Sequence, residues 1–126
     1  MKKLPLGDVY YEISRFNPPA ITVSPGDRIQ VDTQDTFNGL VRTEGDKRDL
    51  VRKPQGNPQS GPIWVDGAER GDTLAVHIEK IEASIDQSAT DMTWGRRGMG
   101  EFLGLDIPVN TRIAPVRDGK VWWRPK

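Results

Sequence analysis

Thirteen glycines and ten prolines fall at short intervals along 126 residues, leaving few stretches long enough for a helix. Proline inside a helix removes a backbone bond and clashes with the preceding turn, and glycine weakens the interior of any regular element. Between them, apolar and polar residues alternate with period two, the pattern of a strand with one buried face. Strands are expected at residues 9–13, 20–23, 28–33, 62–65, 73–81, 111–115 and 120–123. Asp118-Gly119, between the last two, is a tight-hairpin signal, because such turns need positive φ. Pro25-Gly26-Asp27 and Arg70-Gly71-Asp72 each set Gly-Asp before an alternating stretch, where glycine turns the chain and aspartate can bond the turn's backbone. Two copies support an all-β architecture; a solenoid needs at least three. The expected fold is all-β, a sandwich or barrel-like lobe with long loops and little helix, with residues 1–126 as a single β-rich domain. Residues 40–60 read as a long excursion with one short helical turn around 46–51, and residues 84–104 as a second irregular stretch.

Composition excludes several functions. Lys+Arg and Asp+Glu are 18 each, so the formal charge is zero. Nucleic-acid binding draws its affinity from basic residues that neutralise phosphates, and no such excess exists. Acidic and basic residues interleave, as in Glu44-Gly45-Asp46-Lys47-Arg48-Asp49, which reads as a solvated loop. The absence of cysteine removes disulfides, a thiol nucleophile and thiolate metal sites. Met1-Lys2-Lys3-Leu4-Pro5 lacks the apolar run of a signal peptide, and no apolar run approaches the roughly 20 residues that cross a bilayer. A cytoplasmic protein with no membrane association is expected. The single histidine, His77, cannot build a two-histidine metal site from this chain alone.

Few residues then remain that could carry chemistry. Asp35-Thr36-Phe37-Asn38-Gly39 sits where the 28–33 strand gives way to the long excursion. Asp35 there is a candidate general base or metal ligand, although spacing alone favours the other reading, a carboxylate that closes an Asx-type turn at the strand's end. His77 alternates out of phase with Leu74, Val76 and Ile78, so it reads as a solvent or interface residue. The glycine run at 95–104 lacks the Lys-Ser/Thr of a phosphate loop and reads as a connector, although Arg96-Arg97 could pair with a carboxylate across an interface. Trp122-Trp123 would place aromatics on both faces of the last strand, one entering the core and the other exposed or covered by a partner surface.

Several of these segments, in order, resemble the acetamidase/formamidase family. The run Asn57-Pro58-Gln59-Ser60-Gly61-Pro62-Ile63-Trp64-Val65-Asp66-Gly67-Ala68-Glu69-Arg70-Gly71-Asp72-Thr73-Leu74-Ala75-Val76-His77-Ile78 is similar to that family's N-P-x-[ST]-G-P-[IV]-x-V-x-G-A-x-x-G-D-x-L-x-V-x-I stretch. Upstream, Pro25-Gly26-Asp27, a strand and Asp35-Thr36-Phe37-Asn38-Gly39 follow its order. Downstream, Gly98-Met99-Gly100-Glu101-Phe102-Leu103-Gly104 and Val116-Arg117-Asp118-Gly119-Lys120-Val121 resemble its glycine turn and Asp-Gly hairpin. The resemblance implies the N-terminal portion of a bilobal, β-rich hydrolase that releases ammonia from small amides such as formamide and acetamide. It covers under half of the family's usual length, and nothing here matches the His- and Glu-containing segment associated with the active site. The chain therefore looks like a lobe or subunit, natural or truncated, that is inactive alone and needs a C-terminal lobe or second subunit as partner in a likewise oligomeric assembly. The resemblance carries over Asp35 as an active-site acid and metal ligand, with Phe37 and Asn38 as substrate-side neighbours by proximity. It also implies a divalent metal, zinc by the family's usual suggestion, with most ligands outside this chain. Trp122 and Trp123 would form the partner interface. The alternatives are a non-enzymatic β-module or a structural subunit that binds a protein partner.

Overall fold

A computed structural model describes residues 1–46, 56–92 and 110–123. The chain divides into two compact units, Met1–Gly39 with Gln55–His77, and Leu40–Pro54 with Ile78–Lys126. Every regular element among the described residues is a strand, so the fold is all-β, and no closed barrel forms among them. The helical turn expected at 46–51 lies outside the described residues apart from Asp46, as does the glycine run at 95–104 with Arg96-Arg97.

In the first unit, β1 (Lys2–Leu4) pairs in parallel with β3 (Ile29–Val31), and β2 (Ile21–Val23) pairs in parallel with β4 (Ile63–Val65). Strands of three residues are too short to set their own register, so the flanking turns set it. Pro25 and Gly26 occupy the centre of one such turn, with Gly26 at φ 86°. Asp27 N–H donates to the Ser24 carbonyl (3.0 Å), and Ser24 N–H donates to Asp27 Oδ2 (2.8 Å). Lys2 Nζ reaches the same Asp27 oxygen at 2.7 Å and also donates to the Thr22 carbonyl (3.1 Å), tying β1 to β2 and the turn. The second Gly-Asp unit repeats the geometry. Gly71 has φ 105°, Asp72 N–H donates to the Glu69 carbonyl (3.1 Å), and Glu69 N–H donates to Asp72 Oδ2 (2.9 Å). Leu4 and Val23 are the buried apolar side chains of this unit.

In the second unit, β5 (Gln87–Met92), β6 (Asn110–Arg117) and β7 (Lys120–Val121) form an antiparallel sheet with β6 in the middle. Asp118 and Gly119 close the β6–β7 hairpin with φ of 51° and 68°, both left-handed as a primed two-residue turn requires. A third Gly-Asp unit lies here, in the segment that read only as solvated loop. Asp46 Oδ2 accepts from the N–H groups of Thr43 (2.7 Å) and Arg42 (2.8 Å), without a left-handed glycine before it. The Thr111 hydroxyl donates to the Asp46 carbonyl (2.7 Å) and Gln87 Nε2 to the Arg42 carbonyl (3.1 Å), which holds this turn to β5 and β6. Among the described residues of this unit, Val41, fully buried, and Ala114 are the buried apolar side chains, with Thr111 the buried polar one.

The expected strands at 20–23, 28–33, 62–65, 111–115 and 120–123 correspond to β2, β3, β4, β6 and β7. Two others do not form. Residues 9–13 keep a single bridge, Tyr10 with Gln59, and residues 73–81 carry no strand. Conversely, β1 and β5 arise where no alternation marked them, because their partners β3 and β6 supply the ladder. Trp122 and Trp123 follow β7 rather than lying in it, and neither enters a core, at 53 % and 54 % exposure. Trp122 N–H donates to the Pro115 carbonyl (2.9 Å), and the Arg112 guanidinium lies 5.9 Å from the Trp123 ring.

Two predictions follow from these turns and cores. Val41→Ala removes two methyl groups from a site with no exposure, and urea unfolding should show a loss of about 2 kcal/mol. The second concerns acid. The Lys2 bond, then the Ser24 N–H, hold the Asp27 carboxyl below its ordinary 3.8. The Arg42 and Thr43 N–H groups do the same for Asp46. A carboxylate whose folded value is depressed adds stability above its unfolded value and loses it as the pH falls through the folded one. Stability should therefore decline below pH 3.8. A combined Asp27→Asn and Asp46→Asn variant should be less stable at neutral pH and show a shallower acid transition by circular dichroism.

Candidate functional site

The Asp35–Gly39 segment leaves β3 in the first unit and closes on itself through one carboxylate. Phe37 N–H donates to Asp35 Oδ1 (2.9 Å) and Gly39 N–H to Asp35 Oδ2 (3.1 Å), while Asn38 N–H donates to the Asp35 carbonyl (2.9 Å). Asparagine and glycine are the residues that tolerate left-handed backbone, and Asn38 and Gly39 adopt it at φ 53° and 76°. The Asx-type reading of Asp35 is thus realised. Both carboxylate oxygens also gain a fixed direction, since each is held by a backbone donor.

Three further attachments hold the turn. Asn38 Nδ2 donates to the Tyr11 hydroxyl oxygen (2.8 Å), and Gln34 Nε2 donates to Asn38 Oδ1 (3.1 Å). Asn57 N–H donates to the Thr36 carbonyl (3.0 Å). Beyond it, Ser60 Oγ donates to the Asp32 carbonyl (2.9 Å), and Tyr10 and Gln59 exchange backbone bonds at 3.1 and 2.8 Å. The Asn57-Pro58-Gln59-Ser60 run therefore braces both the end of β3 and the turn after it.

Asp35 and Phe37 are half-buried and Asn38 is exposed, so the turn presents an acid, an aromatic and an amide at the surface of this unit. Tyr11 joins them through its hydroxyl. No sequence signal marked Tyr11, which read as one residue of a strand, nor the bracing role of Asn57 and Ser60, which read as turn chemistry. His77 is exposed.

A metal is poorly served by these residues on their own. Among the described residues no three His, Cys, Asp or Glu side chains come together in a way that could hold an ion. Asp35 could contribute one carboxylate ligand, but a closed or catalytic site needs at least three protein ligands. No helix of the described residues is long and apolar enough to cross a membrane.

The Acetamidase/Formamidase family profile matches residues 14–103, a span that contains the Asp35 turn, its Asn57–Ser60 brace and all three Gly-Asp turns. A search of curated proteins returned no match. Among solved structures, the chain is similar to an acetamidase from Yersinia enterocolitica, 31 % identical with a TM-score of 0.82, over 98 % of this chain and 41 % of that one. It is equally 31 % identical to a recombinant predicted acetamidase/formamidase from Thermoanaerobacter tengcongensis, with a TM-score of 0.80, over 98 % of this chain and 40 % of the other. An acetamidase from Bacillus halodurans shares the fold at 21 % identity and a TM-score of 0.71. The chain thus spans about 40 % of the length of the solved structures it resembles. With its central turns, their brace and the strands between them all inside the matched span, the chain belongs to the acetamidase/formamidase family.

Proposed function

We propose that this chain is the N-terminal lobe or subunit of an amide hydrolase that releases ammonia from small amides of the formamide and acetamide type. The observation that carries this is the family match across residues 14–103, inside which Asp35, shortly after β3, has both carboxylate oxygens held by backbone donors at a unit surface. Hydrolysis of an amide needs an activated water, stabilisation of the oxyanion and a proton for the leaving amine. Asp35 suits the first role, because backbone donors from Phe37 and Gly39 set the direction of its carboxylate before any substrate arrives. Phe37 offers an apolar wall, and Asn38 and the Tyr11 hydroxyl offer hydrogen-bonding groups for a small polar amide. The other roles need a second lobe. Relatives with two and a half times the chain support that requirement. Within such a cytoplasmic, oligomeric assembly, zinc would take Asp35 as one ligand and draw the rest from the second lobe. The exposed Trp122 and Trp123 suit an interface with that lobe.

A non-enzymatic β-module, or a structural subunit, is the rival reading. It draws on one observation: the Asx-type turn already accounts for both oxygens of Asp35 without any catalytic duty.

Ammonia release from acetamide and formamide separates the two readings. The purified 126-residue chain should give none. Together with a polypeptide supplying the remainder of the family fold it should turn over amide, and Asp35→Asn should lower kcat by about 100-fold or more. The substitution leaves one acceptor oxygen for two backbone donors, so the fold should lose only about 1 kcal/mol, checked by urea unfolding. Full activity in Asp35→Asn would sink the catalytic role. Turnover by the chain alone would remove the need for a second lobe.

A further inference from the structure

A side-chain amide carries a donor at one corner and an acceptor at the other, so a bond between two amides can run either way. At the Asp35 turn a backbone group fixes the direction. Asp35 N–H donates to Gln34 Oε1 (3.3 Å), and a backbone N–H can only donate. Gln34 therefore presents its oxygen to the backbone and its Nε2 to Asn38, where it donates to Oδ1 (3.1 Å). With its oxygen engaged, Asn38 turns Nδ2 to Tyr11 and donates to the hydroxyl oxygen (2.8 Å). Reversing the Gln34 amide would set donor against donor at Asp35. Three bonds thus run one way, from the backbone of the turn to a phenol. Tyr11 accepts at that end, so its one proton is left to donate outward, and among the described residues no acceptor takes it. The whole relay lies within the first unit, and Tyr11 is exposed.

We propose that the Tyr11 hydroxyl is the hydrogen-bond donor to the carbonyl oxygen of the amide substrate, with Gln34 and Asn38 as its positioning residues. A small amide offers an acceptor at its oxygen and donors at its nitrogen, and an outward-facing proton selects the oxygen. Hydrogen bonds aligned head to tail polarise one another, so the last hydroxyl in the row is a better donor than an isolated phenol. When water adds to the carbonyl carbon, the π electron pair moves onto the oxygen. The oxyanion then receives a stronger bond from Tyr11, which keeps its proton throughout, and such differential binding is what lowers a barrier. The relay starts at the backbone N–H of Asp35 itself, and Asn38 sits between Phe37 and Gly39, whose N–H groups hold the Asp35 carboxylate. One turn therefore orients both the acid and the donor. This inference rests on the hydrolase reading above and deepens it, but its experiment can fail while that reading stands.

Steady-state kinetics with acetamide test it, on the chain combined with a polypeptide that supplies the remainder of the family fold. Tyr11→Phe removes the hydroxyl and keeps the ring. Its kcat should fall by about 100-fold with KM little changed, as for the loss of one oxyanion donor. Gln34→Met removes the group that orients Asn38 and adds no charge beside Asp35. Its kcat should fall by about ten-fold even though the Tyr11 hydroxyl remains. The Tyr11→Phe, Gln34→Met double variant should be no slower than Tyr11→Phe alone, because the relay has nothing left to orient, whereas independent losses would multiply. Circular dichroism should show each variant folded as the parent. If one of the single variants loses the fold, the other decides alone, and unchanged kcat in it overturns the inference. Full kcat in Tyr11→Phe, a rise in KM alone, or multiplying losses in the double variant also overturns it. An active Tyr11→Phe beside an inactive Asp35→Asn leaves the hydrolase reading standing without this donor, and no turnover by the unsubstituted assembly sinks both.

Discussion

Aspartate carboxylates bonded to nearby backbone N–H groups are the interaction on which the described structure depends. The chain has no helix among its described residues to organise the backbone locally, and four of its strands are only three residues long. Three residues give too few ladder bonds to choose a register unaided. The choice falls to the turns. Asp27 over Ser24, Asp72 over Glu69, and Asp46 over Thr43 each return a side-chain oxygen to the N–H three residues earlier. Asp35 works in the opposite direction and accepts from Phe37 and Gly39. Hydrogen bonds to a charged acceptor are the strong kind, and here they replace the backbone bonds that a longer strand or a helix would make.

The same device explains which parts of the fold could be read from the residues alone. Strands β2, β3 and β4 lie beside prolines, glycines and aspartates that punctuate the chain, so their alternation was bounded and visible. Asp118-Gly119 announced its hairpin because those two residues tolerate the backbone it needs. Strand β5 has the sequence Gln87-Ser88-Ala89-Thr90-Asp91-Met92, with no apolar rhythm, and exists because β6 pairs along its whole length. Strand β1 likewise owes its three residues to β3 and to the Lys2–Asp27 ion pair. Such long-range partners leave no trace in a local pattern. Residues 73–81 show the converse, with a strong local pattern and no described strand to pair with.

For the site, the position of Asp35 was legible and its surroundings were not. A strand end followed by Asp-Thr-Phe-Asn-Gly narrows the possibilities to a turn or a functional acid, and the structure realises the turn. Tyr11, however, meets Asn38 across 27 positions, and Asn57 meets Thr36 from the far end of the long excursion. Nothing in the spacing of those residues could have joined them. The family resemblance marked the 57–60 run as important without saying what it does. Its role here is to brace the Asp35 turn and the end of β3.

These two roles for Asp35, closing a turn and serving as an acid, need not compete. A catalytic carboxylate must be aimed before the substrate binds, and side chains free to rotate lose that aim. Asp35 is aimed by backbone groups of its own turn, which is in turn pinned by Tyr11 through Asn38 and by Asn57 through Thr36. The donors that make the residue structural are therefore the ones that would make it a good acid, provided another lobe brings the substrate to it. Removing the carboxylate must then damage both roles, and only the conservative exchange to asparagine, which keeps an acceptor for the turn while removing the acid, can separate them.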